Sequence, residues 1–245
     1  MVAGGHMTES PSFLTYSSVV SRDSLRNALT IAALNGLSTL SCDIQNAYLT
    51  APCREKIWTV AGPQFGSRRV QKMIIARALY GLQSSGAAFR AFLSKTLYKI
   101  GYVPSLADPD VWLRPAIKQD GVKYWEYLLS YVDDILSISE KPLNTLKAIQ
   151  NENFKFKDDK MDKPKVYLGA DLSLIDNEEG IECWAISSDK YCAAIEGGLN
   201  KKGLRLPTRC DLPIRHGYKS EMDCTAEINA DGEVTPSRKL KPFLV

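Results

Sequence analysis

Two adjacent carboxylates, Asp133 and Asp134, stand between two apolar runs in Leu128-Leu129-Ser130-Tyr131-Val132-Asp133-Asp134-Ile135-Leu136-Ser137-Ile138-Ser139. A third, Asp43, lies far upstream in Leu40-Ser41-Cys42-Asp43-Ile44-Gln45-Asn46-Ala47-Tyr48-Leu49. Like charges held this close raise each other's cost unless a cation lies between them. A hard cation with oxygen ligands, such as Mg²⁺, is the natural filler. Carboxylates that hold such ions can support in-line displacement at phosphorus, where neutralisation and alignment do most of the catalysis and no protein nucleophile is required. Taken singly, an Asp-Asp pair also reads as a solvated turn, and a lone Asp at a strand end as a helix cap. The apolar framing and the partnership of the three carboxylates favour the site.

The elements that must position these groups follow from the hydrophobic pattern. Tyr124 to Val132 is aromatic and branched, and Ile135, Leu136 and Ile138 follow at once, so Asp133 and Asp134 belong at the tip of a strand hairpin. Ser38 to Ile44 reads as a short strand that carries Asp43 to its end. Ser21 is suited to cap a helix from Arg22 to Asn35 with Gly36 as its stop, its apolar face formed by Leu25, Ala28, Leu29 and Ala32. A brief helical segment at 46–50 follows Asp43, and Ile57 to Val60 reads as a strand. Gly62 to Arg69 reads as a loop and Val70 to Ala76 as a strand. Ser84 or Ser85 starts a helix to Ile100, its inner face Phe89, Phe92, Leu93, Thr96, Leu97 and Ile100, with these aromatics read as core. Asp110 to Arg114 and Val122 to Val132 are strands joined through Gln119-Asp120-Gly121. Pro142 opens a helix with Leu143, Leu146 and Ile149 inside. Val166 to Leu172 and Ile181 to Ile186 are read as strands, and a helix from Ser187 or Ser188 through Ile195 ends at Gly197-Gly198. From Leu199 onward the pattern decays, which suggests a loose or extended tail.

A chain of 245 residues has ample length for a core. No apolar run approaches the ~18 residues of a membrane span, and the first residues lack the charged and apolar regions of a signal peptide. Six cysteines without a Cys-x-x-Cys pair, and only His6 and His216, make no zinc set and imply free thiols in a reducing compartment. The net charge of +3 is unevenly spread. Residues 1–122 hold 13 basic and 7 acidic groups, and the remainder 18 and 21. Within 54–99 nine basic residues, among them Arg68, Arg69, Lys72 and Arg77, face the single acidic Glu55. Such a segment suits a phosphate backbone or is a solvated basic face.

Tyr131-Val132-Asp133-Asp134, Asp43-x-x-x-Ala47-Tyr48-Leu49 and, between them, Arg77-Ala78-Leu79-Tyr80-Gly81-Leu82-Gln83-Ser84-Ser85-Gly86-Ala87-Ala88-Phe89 together resemble the reverse transcriptases of copia-type retrotransposons. Val2-Ala3-x-Gly5 resembles a segment that such polymerases carry ahead of the first Asp motif, and so reads as native sequence. The resemblance covers about Met1 to Leu172. It implies an α+β fold: a polymerase palm built on a ferredoxin-like β-α-β-β-α-β sheet, with partial fingers insertions and an incomplete thumb or connection region. Residues 1–172 would be the fingers and palm core, and residues 173–245 a following hairpin, helix and loosely ordered tail.

The implied activity is RNA-directed DNA polymerisation with two Mg²⁺ ions, or Mn²⁺ in their place. Asp43 and Asp133 would bind both metals, Asp134 would be the lesser neighbouring ligand, and the Ile44 carbonyl would face a metal. Tyr48 would reject a 2′-hydroxyl, its alternative being a core tyrosine. Tyr80 and Gly81 would border the incoming nucleotide, and Arg68, Arg69, Lys72 and Arg77 would bind nucleic acid. Lys157 resembles a lysine that could protonate pyrophosphate, against a plainer reading as a charged strand end. Gln83 and Gly86 depart from the Lys and Pro common in the family. Implied partners are an RNA or DNA template-primer, deoxynucleoside triphosphates, and the integrase, protease and ribonuclease H regions of a polyprotein; no membrane partner is implied. The implied location is cytoplasmic, in a virus-like particle with access to the nucleus. The chain looks truncated at its start, before basic residues that family members carry there. That feature favours an inactive remnant that only binds nucleic acid through 54–99, whereas the three intact motifs favour the polymerase, the leading reading; a metal-dependent phosphohydrolase is a third and weaker one.

Overall fold

A computed structural model describes residues 2–12, 15–176 and 182–203, and the backbone of Ala226–Ile228 and Val234–Pro236. The elements of the first part, in order, are α1 (Arg22–Leu34), β1 (Ser38–Asp43), α2 (Ala47–Thr50), β2 (Trp58–Val60), β3 (Lys72–Ile74), α3 (Ser85–Lys99), β4 (Val103–Pro104), β5 (Val111–Ile117), β6 (Lys123–Tyr131), β7 (Asp134–Ser139), α4 (Pro142–Asn151), β8 (Val166–Tyr167), β9 (Ala170–Asp176), β10 (Glu182–Ser187) and α5 (Asp189–Lys201). β11 (Ala226–Ile228) and β12 (Val234–Pro236) pair antiparallel. The chain divides into two compact units, Met1–Cys192 and Ala193–Val245; position 172, the expected boundary, falls inside β9.

The first unit is built on a five-stranded antiparallel sheet in the order β1-β7-β6-β5-β4. Successive strand residues point to opposite faces, and here both faces are covered. On one, Leu128 and Ile135 pack with Phe89, Leu93 and Leu97 of α3 and Leu146 and Ile149 of α4. On the other, Leu129, Leu136 and Ile138 pack with Leu25, Ala28, Leu29 and Ala32 of α1 and with Tyr167 and Leu172. Fully burying one such aliphatic side chain contributes ~1.5–3 kcal/mol, so β6 and β7, apolar on both faces, are the best-anchored strands. That explains why their sequence is a near-continuous apolar run and not a simple alternation.

Local chemistry sets the ends. Ser21 Oγ accepts from Ser24 N at 3.0 Å and caps α1, and Asp108 receives the Ser21 N–H at 3.0 Å and the Ser24 hydroxyl at 2.6 Å, tying that cap to the loop before β5. Arg114 on β5 and its cross-strand partner Glu126 on β6 form an ion pair at 2.6 Å. Arg114 also donates to the Ile100 carbonyl at 2.8 Å and to Thr145 of α4 at 3.2 Å, which fixes α4 to the sheet.

Several sequence expectations change. The run Val166 to Leu172 is not one strand: Leu168 (φ +51°) and Gly169 (φ +72°) make a two-residue turn between β8 and β9, and β8, β9 and β10 form a separate sheet. Left-handed backbone at both central residues is what such a hairpin needs, and the glycine supplies half of it. Leu143 is exposed, because Pro142, Thr145, Leu146 and Ile149 take the inward i, i+3, i+4, i+7 stripe of α4. Gly197-Gly198 does not end α5, which continues to Lys201. The strand expected at 70–76 shrinks to Lys72–Ile74, and the preceding loop contains a 3-10 turn, Pro63–Arg68. The residues after 203 that were read as a loose tail lie mostly outside the described residues. Among the described residues the sheet edge beyond β1 carries no full strand; isolated bridges Ser41↔Asp162 and Ile44↔Phe156 occupy it.

Candidate functional site

The β1–β7 register aligns Cys42 with Ile135 and Asp43 with Asp134. Cross-strand partners share a face of the sheet, so Asp43 and Asp134 stand side by side at its end. β6 and β7 are joined by Val132 and Asp133 alone, with Tyr131 paired to Asp134. Val132 has φ +54°, a conformation costly for a β-branched residue that persists only where surroundings impose it. The surroundings do so. Ile44 N donates to the Asp133 carbonyl at 2.8 Å, and Gln45 N to the Lys155 carbonyl at 2.8 Å. The end of β1 is therefore clasped between the hairpin tip and the 154–156 segment. From beneath, the buried Tyr167 hydroxyl lies within reach of the Leu129 carbonyl at 3.1 Å and the Asp134 carbonyl at 3.4 Å.

The three carboxylates are half-buried and feel one another. Burial, and then the charges of Asp133 and Asp43, push the Asp134 carboxyl up to about 6; Lys157 opposes the shift. Asp133 is raised as well, by burial first and by Asp43, against its own backbone hydrogen bond and Lys157. Lys157 Nζ is 3.9 Å from Asp43 Oδ2, with both side chains more than a third exposed. At that separation and exposure the pair contributes little to stability, but Lys157 places a positive charge beside the cluster. Of the two sequence readings of Lys157, the charged strand end does not hold: the residue opens a 3-10 turn (Lys157–Asp159) in which Asp158 and Asp159 have φ +53° and +49°. The legible signal was Phe154-Lys155-Phe156, whose two rings are buried and pin the segment. Tyr167 was missed as a support because nothing in its local sequence ties it to the hairpin.

Tyr48 follows from α2, whose Ala47 is buried. Its ring lies 4.7 Å from that of Tyr80 and 6.1 Å, edge-on, from that of Phe89. Both phenols are held above their ordinary range, by burial first and then by the charge of Asp133. The two rings therefore border the acidic cluster. Gly81 was expected to admit substrate to its backbone; here the neighbour that approaches is Ala3, whose carbonyl a Cβ at Gly81 would overlap. Ile44 is fully buried.

The basic residues are elsewhere in the fold. β2 and β3 form their own two-stranded ribbon. Arg68 and Arg69 precede β3, Lys72 begins it, and all three are exposed. Arg77 donates to the Thr50 carbonyl at 3.0 Å. Among the described residues, none of these four is within ion-pair distance of a carboxylate. The ribbon also exposes Trp58, Val60 and Ile74. Cys42, Cys53 and Cys192 carry no disulfide. No helix among the described residues is long and apolar enough to cross a membrane.

Among the described residues no three His, Cys, Asp or Glu side chains are arranged to hold a metal ion by themselves. Mg²⁺ seldom needs such a cage: it is usually held by one or two carboxylates, with substrate phosphates and water completing the shell. The donor set of Asp43, Asp133 and Asp134 is all hard oxygen, the donor type Mg²⁺ takes, and a cation among them would relieve their mutual repulsion.

A family model described as reverse transcriptase (RNA-dependent DNA polymerase) matches residues 2–196. The retrovirus-related Pol polyprotein from transposon RE1 of Arabidopsis thaliana is 30% identical over 149 residues, which cover 59% of this chain and 10% of that polyprotein.

Proposed function

The chain belongs to the reverse transcriptase (RNA-dependent DNA polymerase) family, and from that premise we propose that it extends a primer 3′ end with deoxynucleotides on an RNA or DNA template. The resemblance to copia-type retrotransposon enzymes agrees with the RE1 match. We read the five-stranded sheet with α3 and α4 as the palm, and the β2–β3 ribbon as part of the fingers. The observation that carries the reading is the β1–β7 register, with Asp43 opposite Asp134 and Asp133 at the adjoining hairpin tip.

Asp43 and Asp133 would hold the divalent ions, Mg²⁺ or Mn²⁺, with Asp134 as the neighbouring ligand and the Ile44 carbonyl beside them. When bound, the ions lower the pKa of the primer 3′-hydroxyl and neutralise charge on the leaving pyrophosphate. The residues of the chain do the positioning. The clasped backbone of Asp43, Ile44 and Asp133 keeps the carboxylates in register. Tyr48 fills the volume that a ribose 2′-hydroxyl would need, and Tyr80 and Gly81 border the base and sugar. Lys157 faces the cluster from the side and places positive charge where the triphosphate's negative charge would lie. Arg68, Arg69, Lys72 and Arg77 would grip the template-primer backbone.

Primer extension with Mg²⁺ tests the proposal. Asp133→Asn should lower incorporation by about 10³-fold while leaving the melting temperature within a few degrees; extension that survives the change unaltered removes the metal-site assignment. A second reading, binding of nucleic acid without catalysis, rests on the exposed Arg68, Arg69 and Lys72 of the ribbon, which pair with no carboxylate among the described residues. It expects salt-sensitive binding and no incorporation by the wild-type chain.

A further inference from the structure

We propose that residues 2–5 act as a strap that sets the position of Tyr80 and, through it, how tightly Tyr48 excludes a ribose 2′-hydroxyl, with Gly5 as the positioning residue. This rests on the nucleotidyl-transfer reading above.

The strap meets the Tyr80-Gly81 turn backbone to backbone. Ala3 N donates to the Tyr80 carbonyl at 2.7 Å. Gly81 has φ +94°, and a Cβ there would overlap the Ala3 carbonyl. On the strap side, a Cβ at Gly5 would overlap the Gly81 carbonyl oxygen and crowd Leu82 Cα. Both neighbours are main chain, so no side-chain rotation relieves the overlap; one backbone or the other must shift. The Gly5 carbonyl is itself held, accepting from Thr8 Oγ1 at 2.8 Å and from Gln83 Nε2 at 3.3 Å. Gln83, which departs from the family pattern, thus latches the strap.

What the strap controls is one side of a three-ring cluster, tilted at Tyr80 and edge-on at Phe89. Tyr48 stands between Phe89 and Tyr80. Phe89 is 1% exposed and fixed in the core, whereas Tyr80 is 37% exposed. Tyr80 is therefore the side of the cluster that can yield, and its main chain is what residues 3 and 5 hold. A strap displaced by a methyl group would let Tyr80 retreat and give Tyr48 room to tilt away from the sugar. Gly4 supplies the control: a Cβ there meets the end of the Met7 side chain, which can swing aside.

Primer extension by the full chain is measured with dTTP and with rUTP on a poly(rA) template, for wild type, Gly4→Ala, Gly5→Ala and Ala3→Pro. Fluorine NMR of 3-fluorotyrosine at position 80 is recorded on the same proteins. Gly5→Ala should raise KM for dTTP about tenfold and lower the dTTP-over-rUTP preference about tenfold, with kcat within about twofold, because the two rings border the nucleotide and not the reacting atoms, so that the loss is one of uniform binding. Gly4→Ala should track wild type, and the position-80 resonance should shift in Gly5→Ala alone of the two. Ala3→Pro removes the donor to Tyr80 and sets the proline Cδ against the Tyr80 carbonyl, so it displaces the same contact by a second route and carries the test if Gly5→Ala does not fold. An unmoved resonance, or a loss of kcat and melting temperature with the sugar preference intact, overturns the strap. If wild type incorporates nothing, the catalytic reading fails, and the fluorine shift decides the strap on its own: present, it upholds the hold on Tyr80; absent, it overturns it.

Discussion

The acidic hairpin and the basic ribbon are both two-stranded antiparallel turns, yet they are built by opposite rules. β6 and β7 are packed on both faces, and their tip is clasped from the side through Ile44 and from beneath by Tyr167. β2 and β3 pair over three residues, and both β2 and the ends of β3 are open to solvent. The chemistry proposed for each accounts for the contrast. Carboxylates that share an ion must keep their spacing to a fraction of an ångström, which only a packed element supplies. Lys and Arg that follow a phosphate backbone act as point charges on long stems and tolerate movement.

Substitutions at matched positions test that contrast. Ile135→Ala, in the strand that carries Asp134, should cost about 2–5 kcal/mol of stability and abolish extension with it, measured by chemical denaturation and primer extension. Trp58→Ala on the ribbon should change stability by less than about 0.5 kcal/mol. Comparable losses from the two would end the division into a rigid and a tolerant hairpin. Next in size, Arg68→Ala, Arg69→Ala and Lys72→Ala combined should weaken binding to single-stranded nucleic acid up to about a hundredfold at low salt. The slope of log affinity against log salt should then shrink by about 2. Below that, Trp58→Ala should weaken the same binding by roughly tenfold, the value of one base stacked on one ring, with the salt slope unchanged. A slope that falls with Trp58 would mean that the ring only orders the cations.

The same contrast governs what the sequence made legible. β6, β7, α1 and α3 were read almost to the residue, because Leu128 to Ile138 and the Leu25–Ala32 stripe carry enough apolar pattern to fix their own faces. The Asp133-Asp134 tip followed from that pattern, and its partnership with Asp43 from the motifs. The short elements were misjudged where geometry overrode pattern. Val166 to Leu172 is apolar enough for one strand, but Leu168 accepts left-handed backbone so that Tyr167 can turn under the hairpin. Leu143 loses its inward place because Pro142, Thr145, Leu146 and Ile149 fill the i, i+3, i+4, i+7 stripe and position 143 falls outside it. Lys157 was marked by the resemblance, but its nearness to Asp43 and the strap of residues 2–5 were beyond local reading: both depend on groups brought together across long stretches of chain.

The smallest effect bears on how strained the rigid hairpin is. Asp134 carries a carboxyl raised to about 6 by burial and by Asp133 and Asp43, above the ~3.9 of a free aspartate in the unfolded chain. A carboxyl whose folded pKa is raised binds its proton more tightly in the folded state. Its ionisation therefore opposes folding: the cost is fully present above pH 6 and fades as pH falls from 6 toward 4. Asp134→Asn should accordingly stabilise the protein at pH 7.5 and leave it unchanged at pH 4. Because the group is half-exposed, solvent screening reduces the gain to about 1 kcal/mol. Thermal melts at the two pH values, with and without Mg²⁺, check this. Mg²⁺ should raise the melting temperature of wild type at pH 7.5 and raise that of Asp134→Asn less, since part of the repulsion the ion relieves is already gone. Equal stabilisation of both proteins by Mg²⁺ would show that the ion does not sit among these carboxylates, and the rigidity of the hairpin would then need a purpose other than holding it.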